Sequence, residues 1–179
     1  KKRYAYGKSE KDGHGEPHIR PMNITSDGEF TLDGAKFIPK EEFAPYLDYS
    51  LLSGDVLFNN TNSKELVGKT TYLVNDVLGG YSNHMTRIRT TDPRLNPSFL
   101  ATYLHQLWRE GYFLERCHKW VGQAGINTKE LAATPIPLPN PAIQERIVAQ
   151  IEHERALVQA NRDLITLYEA KIKARIAGV

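Results

Sequence analysis

The sequence predicts an α+β protein: a globular domain with a mixed, twisted β-sheet, followed by one long coiled-coil helix. Three observations lead to this fold class. Short apolar runs of strand length come first, helical stretches come later without regular alternation, and the last segment has no Gly or Pro from Ala142 to Ala177. Strands and helices that are segregated in this way are typical of α+β folds.

Six apolar runs predict the strands. Gly and Pro separate them, and several alternate apolar and polar residues with the period of two that a half-buried strand requires. In chain order the runs are HIRPMNI, GEFTL, AKFI, GDVLF, TTYLV and MTRIR.

Two helical stretches follow the strands. The first, NPSFLATYLHQLWREGYFLERC, has apolar residues at helical spacing, with Pro97 suited to a first turn and Gly111 breaking or ending the helix. A second, short helix is expected in GINTKELAA, where Asn127 or Thr128 can cap the helix and Glu130 can face its positive end.

A proline run divides the chain. In TPIPLPNPAI, prolines at positions 135, 137, 139 and 141 remove backbone donors and hold φ near −65°, so the segment is extended. We therefore predict a globular domain over 1–134, a connector over 135–140 and a long helix over 141–179.

The long helix carries a heptad stripe that needs a partner helix. Its polar seam positions, Glu154, Asn161 and Arg175, would weaken the association and select its register. The alternative is that the helix folds back over its own domain. This is less favoured, because a domain of that length is already needed to form one core. The residues predicted to meet the partner are Ile147, Ile151, Val158, Ile165, Tyr168 and Ile172.

Composition limits the function classes without selecting one. The chain has 179 residues and a formal net charge of +2, too mild to prove a nucleic-acid partner. The one cysteine, Cys117, forms no internal disulfide and fits a reducing cytoplasm. The sequence has no stretch of about 18 apolar residues, so no membrane span is expected, and its first residues do not predict a signal peptide. The absence of Met at position 1 suggests a trimmed or internal fragment.

Catalytic motifs are incomplete in this sequence. VGKT lacks the first glycine of a phosphate-binding loop and precedes a strand-like segment, and EAK lies on the long helix without an Asp to complete a magnesium site. His84 and His118 lack the spacing of a zinc site, and PNPAI lacks the second proline and the aromatic of an adenine methyltransferase loop. The chain is therefore expected to be non-catalytic.

Polar and basic residues of the strands and loops form a possible set of DNA contacts. Asn and Gln pair with adenine, Arg pairs with guanine, and Thr, Ser and Lys suit phosphate. The alternative is a turn network in which these side chains satisfy the backbone. The candidate DNA-binding residues are Arg20, Asn59, Asn60, Thr61, Asn62, Lys64, Lys69, Asn83, His84, Arg87, Arg89, Lys119, Gln123, Asn127 and Thr128.

Five segments carry a family resemblance. They are GEPHIRPMNI, SGDVLFNNTNSKELVGKT, SNHMTRIR, QAGINTKEL and PIPLPNPAIQERIVAQIE, and together they span nearly the whole chain. In order and spacing they resemble the DNA specificity subunits of type I restriction-modification systems. GDVLF with NNTNSKELVGKT, and PIPLP running into QERIV, are specific segments, whereas GINT and HIR are weak by themselves.

The resemblance implies one target recognition domain joined to one spacer helix. An intact subunit of the family has two of each, so each domain reads one half of a split double-stranded DNA sequence and the antiparallel helices separate the halves. Two alternatives follow: the chain is one half of a longer subunit, or it is a natural half-subunit that forms a homodimer through its helix. The segment LYEAKIKARIAGV resembles the end of the second helix of the family, which mildly favours a C-terminal half.

The resemblance also implies partner subunits. Modification (methyltransferase) subunits use S-adenosylmethionine to methylate adenine, and restriction subunits are driven by ATP. S-adenosylmethionine, ATP and magnesium belong to those partners, so no cofactor, metal or catalytic residue is expected in this chain. The alternative is an assembly adaptor that acts mainly through the coiled-coil helix.

The resemblance changes the roles expected within the candidate set. A segment shared by subunits with different targets should position the domain, so Lys64 and Lys69 are expected to contact the DNA backbone. Base reading is then expected around Asn83–Arg89 and Lys119–Thr128, and only weakly from Asn59–Asn62.

Overall fold

The computed structural model describes residues 14–177. By internal contacts the chain divides into two compact units, one ending at Leu138 and the other beginning at Pro139. The predicted α+β class is confirmed: small β-sheets and short helices make up the first unit, and one long helix makes up the second.

Three small sheets replace the one mixed sheet that the sequence suggested. The strands are β1 (Glu16–Ile19), β2 (Lys36–Ile38), β3 (Val56–Asn59), β4 (Thr61–Asn62), β5 (Thr70–Tyr72), β6 (Gly80–Tyr81), β7 (Met85–Ile88), β8 (His118–Trp120) and β9 (Gln123–Gly125). Two sheets are antiparallel, with orders β5-β3-β7 and β4-β9-β8, and the third, β2-β1-β6, is mixed because β1 pairs parallel with β6. The GEFTL run contributes only an isolated bridge between Ile24 and Phe30.

Strand β3 is the centre of the core because both of its faces are covered. Val56 and Phe58 point into one apolar cluster, and Leu57 points into a second cluster on the opposite face. Successive side chains of a strand alternate between faces, so the continuous apolar run VLF of β3 is what a doubly covered strand requires.

The helices begin and end where local sequence signals predict. The helices are α1 (Lys40–Phe43), α2 (Pro97–Arg109), α3 (Tyr112–Arg116), α4 (Thr128–Ala132) and α5 (Pro141–Ala177). The side chain of Asn96 accepts hydrogen bonds from the first turn of α2, and Gly111 ends the first helical stretch with a left-handed φ of 80°. Asn127 and Glu130 form a capping box at the start of α4.

Helix α5 has 37 residues, which corresponds to a length of about 55 Å at 1.5 Å per residue. Of the predicted stripe, Ile147 and Ile151 are partly buried. Val158, Ile165, Tyr168 and Ile172 of the predicted stripe are exposed, so pairing of this helix stays a prediction. None of the helices in residues 14–177 combines the length and apolar character of a membrane span.

Gly68 provides a test of the core, because it ends the polar loop that follows β3. Its φ is +103°, and a Cβ there would lie 2.4 Å from Cδ2 of Phe113. Gly68→Ala should therefore lower the free energy of unfolding by about 2–5 kcal/mol, from backbone strain plus overpacking. Chemical denaturation measures the change.

Gly54→Ala is the matched control. Gly54 also has a positive φ, +89°, but a Cβ there meets nothing within 4 Å, so this substitution should cost only the backbone strain of about 1–2 kcal/mol. Equal losses at the two positions would contradict the packing argument.

Candidate nucleic-acid interface

Two surface grooves of the first unit share Thr61 of β4. The smaller one, here called the hairpin groove, has a volume of about 310 Å³ and lies along the β8–β9 hairpin. The larger one, the basic groove, has a volume of about 570 Å³ and contains Arg20 and Lys36. The hairpin groove is lined by Asn60, Thr61, His118, Trp120, Gly125, Ile126, Asn127 and Thr128. The basic groove is lined by His18, Arg20, Pro21, Met22, Lys36, Thr61, Asn62, Ser63, Ser82, His84, Gly122 and Gln123.

The grooves bring together residues that are distant in sequence. The β1 end, Lys36 of β2, the segment after β3, the turn before β7, and the β8–β9 hairpin with the start of α4 all contribute side chains. Eight of the predicted DNA-binding residues line one or both grooves: Arg20, Asn60, Thr61, Asn62, His84, Gln123, Asn127 and Thr128.

Two consecutive asparagines at the end of β3 join these segments. The buried side chain of Asn59 donates to the carbonyl of Leu66 at 2.8 Å, which closes the loop before Gly68. The backbone N–H of Asn60 donates to the carbonyl of His84 at 2.9 Å, and its own carbonyl accepts from Ile126 N at 3.0 Å. The backbone of Asn60 therefore connects the turn before β7 to the hairpin.

The side chain of Asn60 reinforces the same junction. Its Nδ2 donates to Oγ1 of Thr61 at 2.9 Å, and its Oδ1 accepts from the hydroxyl of Thr86 at 3.1 Å. A longer bond of 3.4 Å reaches the carbonyl of Asn83. Asn60 thus supports the groove wall, while Thr61 and Asn62 follow it on β4.

The hairpin groove is built around the start of α4. The Asn127 side-chain oxygen accepts from the N–H groups of Lys129 and Glu130, at 2.9 and 3.0 Å. Glu130 in turn lies 2.5 Å from Nε2 of His118. These bonds attach the cap of α4 to strand β8, and Thr128 is exposed beside them.

The basic groove owes its charge to Arg20 and Lys36. The guanidinium of Arg20 donates to the carbonyl of Gly34 at 3.2 Å. Burial, and then the charges of Arg20 and Lys36, lowers the pKa of His18 from 6.5 to about 4. His18 is therefore neutral at pH 7, and Arg20 and Lys36 supply the positive charge.

Comparison with known proteins decides the family. Residues 1–165 match the family model of the type I restriction modification DNA specificity domain. The chain belongs to this family. Such domains are specificity modules without catalytic function, which confirms the prediction of a non-catalytic chain.

Individual relatives agree with the specificity-domain family. The chain is 25% identical over 167 residues to the MjaX specificity subunit assigned to a type I restriction enzyme of Methanocaldococcus jannaschii, covering 92% of this chain and 39% of that protein. A chain from a structure of complex assembly in the type I R-M system superimposes with a TM-score of 0.65 at 22% identity, covering 96% of this chain and 39% of the other. The HsdS subunit from Thermoanaerobacter tengcongensis gives a TM-score of 0.57 at 22% identity, covering 88% and 35%. The specificity domain described here thus spans about two fifths of these relatives.

Two predicted DNA contacts of the specificity domain are instead buried. Asn59 is 0% exposed and Lys69 is 8% exposed. The ammonium group of Lys69 donates to the carbonyl of Ile24, and burial lowers its pKa. Both side chains hold the loop against the core, so the expectation that Lys69 contacts the DNA backbone is corrected.

Arg87 and Arg89 are also engaged by the fold. Arg87 donates to the carbonyls of Tyr49 and Ser50, at 3.3 and 3.1 Å. Arg89 binds Asp55, 1% exposed, with bonds of 2.7 and 2.8 Å. Neither arginine lines either of the two grooves, and DNA contact by both stays a prediction.

Three further candidates lie outside the grooves. Lys64 is exposed, with its ammonium group 3.7 Å from the carboxylate of Glu65. Asn83 is exposed in the turn before His84, and Lys119 is exposed on β8 beside the hairpin groove. DNA contact by these three stays a prediction.

Sequence reasoning missed several residues that line the grooves, notably His18, Lys36 and Trp120. His18 and Lys36 each sit in a run that predicts only a strand, and their pairing across β1 and β2 is a long-range feature. Trp120 could have been noticed in the sequence. It lies with Val121 and Gly122 in a polar stretch whose apolar residues show no helix or strand period, so they are not expected in a core. Within residues 14–177, no three His, Cys, Asp or Glu side chains are grouped to hold a metal ion.

Replacing Arg89 tests its structural role. In Arg89→Met the buried carboxylate of Asp55 keeps its bond from the N–H of Leu52, at 2.9 Å, and loses both bonds to the guanidinium. The free energy of unfolding should therefore fall by about 2–4 kcal/mol. Arg94→Met is the control, because Arg94 and its partner Asp92 are both exposed and exposed ion pairs contribute little to stability. If denaturation curves showed the same small loss for both variants, the role assigned to Arg89 would be wrong.

The lowered pKa of His18 predicts a pH-dependent stability. Between pH 6.5 and about 4 the unfolded chain binds a proton at His18 and the folded chain does not, so stability from this group is full above pH 6.5 and is lost as the pH falls. Wild type should lose roughly 2–3 kcal/mol more than His18→Gln over this window. Urea unfolding at a series of pH values measures the difference.

His153→Gln is the control for this titration, because His153 is exposed on α5. It should follow the wild-type pH profile. A His18→Gln profile parallel to wild type would show that His18 titrates alike in the folded and unfolded chains.

Proposed function

We propose that this chain is a target recognition domain with a spacer helix, and that it reads one half of a bipartite double-stranded DNA target. One observation carries the proposal: amide, hydroxyl, imidazole and guanidinium groups from segments that are distant in sequence meet in two grooves that share Thr61. Such groups match the donors and acceptors of base edges and phosphates. The family supports the same role.

We assign the groove residues to two roles, base contacts that read the DNA sequence and phosphate contacts that position the domain on the DNA. Asn62, His84 and Gln123 line the basic groove and are the proposed base-reading residues, since their side chains both donate and accept. Arg20 of the same groove, and Lys119 beside the hairpin groove, are the proposed phosphate contacts. Asn60 and Asn127 support the walls through their own hydrogen bonds.

We infer that the chain directs catalytic partners to the site that it reads. Modification subunits would methylate adenine with S-adenosylmethionine, and restriction subunits would use ATP and magnesium. In this proposal residues 1–134 form the recognition domain, 135–140 the connector and 141–179 the spacer helix.

The exposed apolar residues of α5 support helix pairing. Val158, Ile165, Tyr168 and Ile172 are each about half exposed or more, which is unfavourable for an isolated helix in water. An antiparallel helix from a second recognition half would cover them. That half is either another part of a longer subunit, consistent with the two-fifths coverage of the relatives, or a second copy of this chain that gives a palindromic split site.

Two substitutions test DNA recognition in the complex of this chain with its modification subunits. The target is first found by methylation profiling of host DNA with and without the gene. Gln123→Ala should weaken binding to that target by about 1–3 kcal/mol and leave non-target binding unchanged. Lys119→Ala should weaken both, and should reduce the salt slope of binding by about one.

Lys40→Ala is the matched control, because Lys40 is an exposed lysine on α1 that lines neither groove. Fluorescence anisotropy over a range of salt concentrations compares the variants. If the wild-type complex showed no preference for any sequence and no steep salt dependence, the proposed function would be wrong. Unchanged methylation patterns in all groove variants would instead support an assembly adaptor.

A further inference from the structure

The tip of the β8–β9 hairpin exposes two apolar side chains. Trp120 is 50% exposed and Val121 is 101% exposed. Turns favour Gly, Pro, Asn, Asp and Ser, and the positive φ of this turn, +75°, is already supplied by Gly122. Val121 therefore serves neither the core nor the turn.

Trp120 is held in place despite its exposure. Gly125 leaves room for the indole, because a Cβ there would lie 2.8 Å from Cη2 of Trp120. The indole N–H also donates to Oε1 of Gln123 at 3.3 Å. An aromatic ring fixed before binding loses little conformational entropy when a partner covers it.

The tip stands between the two grooves. Trp120 lines the hairpin groove, whereas Gly122 and Gln123 line the basic groove. Lys119 is exposed next to them. A duplex that contacts both grooves must therefore meet Trp120 and Val121.

We propose that this tip enters the major groove of the target DNA and that Val121, beside Trp120, packs against the C5-methyl group of a thymine. A two-stranded β-ribbon fits the major groove, about 12 Å wide, and not the minor groove, about 6 Å wide. The thymine methyl is the apolar group on the floor of the major groove. The inference rests on the proposed function and adds an apolar, thymine-specific contact to it.

The test removes the methyl group from the DNA and the valine from the protein. Duplexes carry the site found by methylation profiling, with each thymine of the half-site replaced in turn by uracil, which lacks only the C5-methyl. One replacement should weaken binding of the wild-type complex about fourfold, as expected for one buried methyl group. Val121→Ala should bind the thymine and uracil duplexes alike.

Val74→Ala is the matched control. Val74 is an exposed valine, 68% accessible, that lines neither groove, so its variant should keep wild-type affinity and wild-type sensitivity to uracil. Tryptophan fluorescence gives a second readout, since the chain has 2 Trp. Target DNA should quench the tryptophan fluorescence of Trp108→Phe, which keeps Trp120. It should leave the tryptophan fluorescence of Trp120→Phe unchanged.

Each alternative outcome is distinct. Three outcomes would overturn the hairpin inference and leave DNA recognition intact. The wild type could prefer its target while no uracil replacement lowers its affinity, or the half-site could contain no thymine. Val121→Ala could also show the same affinity and the same uracil sensitivity as Val74→Ala. If inosine in place of guanosine weakened binding of the wild type but not of Val121→Ala, the tip would lie in the minor groove, which would overturn the inference. Loss of complex assembly in Val121→Ala before DNA is added would mark the tip as a protein contact and would also overturn it. A wild type without sequence preference overturns the proposed function as well.

Discussion

The candidate interface depends on the hydrogen bonds of two consecutive asparagines at the end of β3. Asn59 is buried and holds the following loop through Leu66, and Asn60 joins His84 to Ile126 through its backbone. Each bond contributes about 1 kcal/mol, but a buried amide left without its partner costs more. The junction therefore sets where β4, the turn before β7 and the hairpin lie relative to one another, and it places their side chains on one surface.

The fold uses much of the positive charge that the sequence seemed to offer to DNA. Lys69 is buried and donates to the carbonyl of Ile24, Arg89 forms an ion pair with the buried Asp55, and Arg87 donates to backbone carbonyls. What remains at the grooves is a small number of cations among amides and hydroxyls. Such a surface suits sequence discrimination by hydrogen bonds and shape, because affinity from charge alone is indifferent to sequence.

Local rules predicted most of the secondary structure. The cap at Asn127, the break at Gly111 and the runs that became β3, β5 and β7 follow from residues within a few positions of each other. The β8–β9 hairpin was missed because its strands are three residues each and carry His, Lys and Gln instead of a clear alternation. Its register with β4 depends on pairing across about sixty residues, which no local pattern reveals.

The sequence by itself determined the family, the α+β class and the long α5 helix, because caps, apolar periods and the order of motifs depend on residues that are close together in the chain. Only the tertiary structure decided which polar residues belong to the surface. Asn59 and Asn60 are neighbours with the same side chain, yet one is buried and the other lines a groove. The difference arises because β3 is covered on both faces and ends between them, so burial there is set by segments that are distant in sequence.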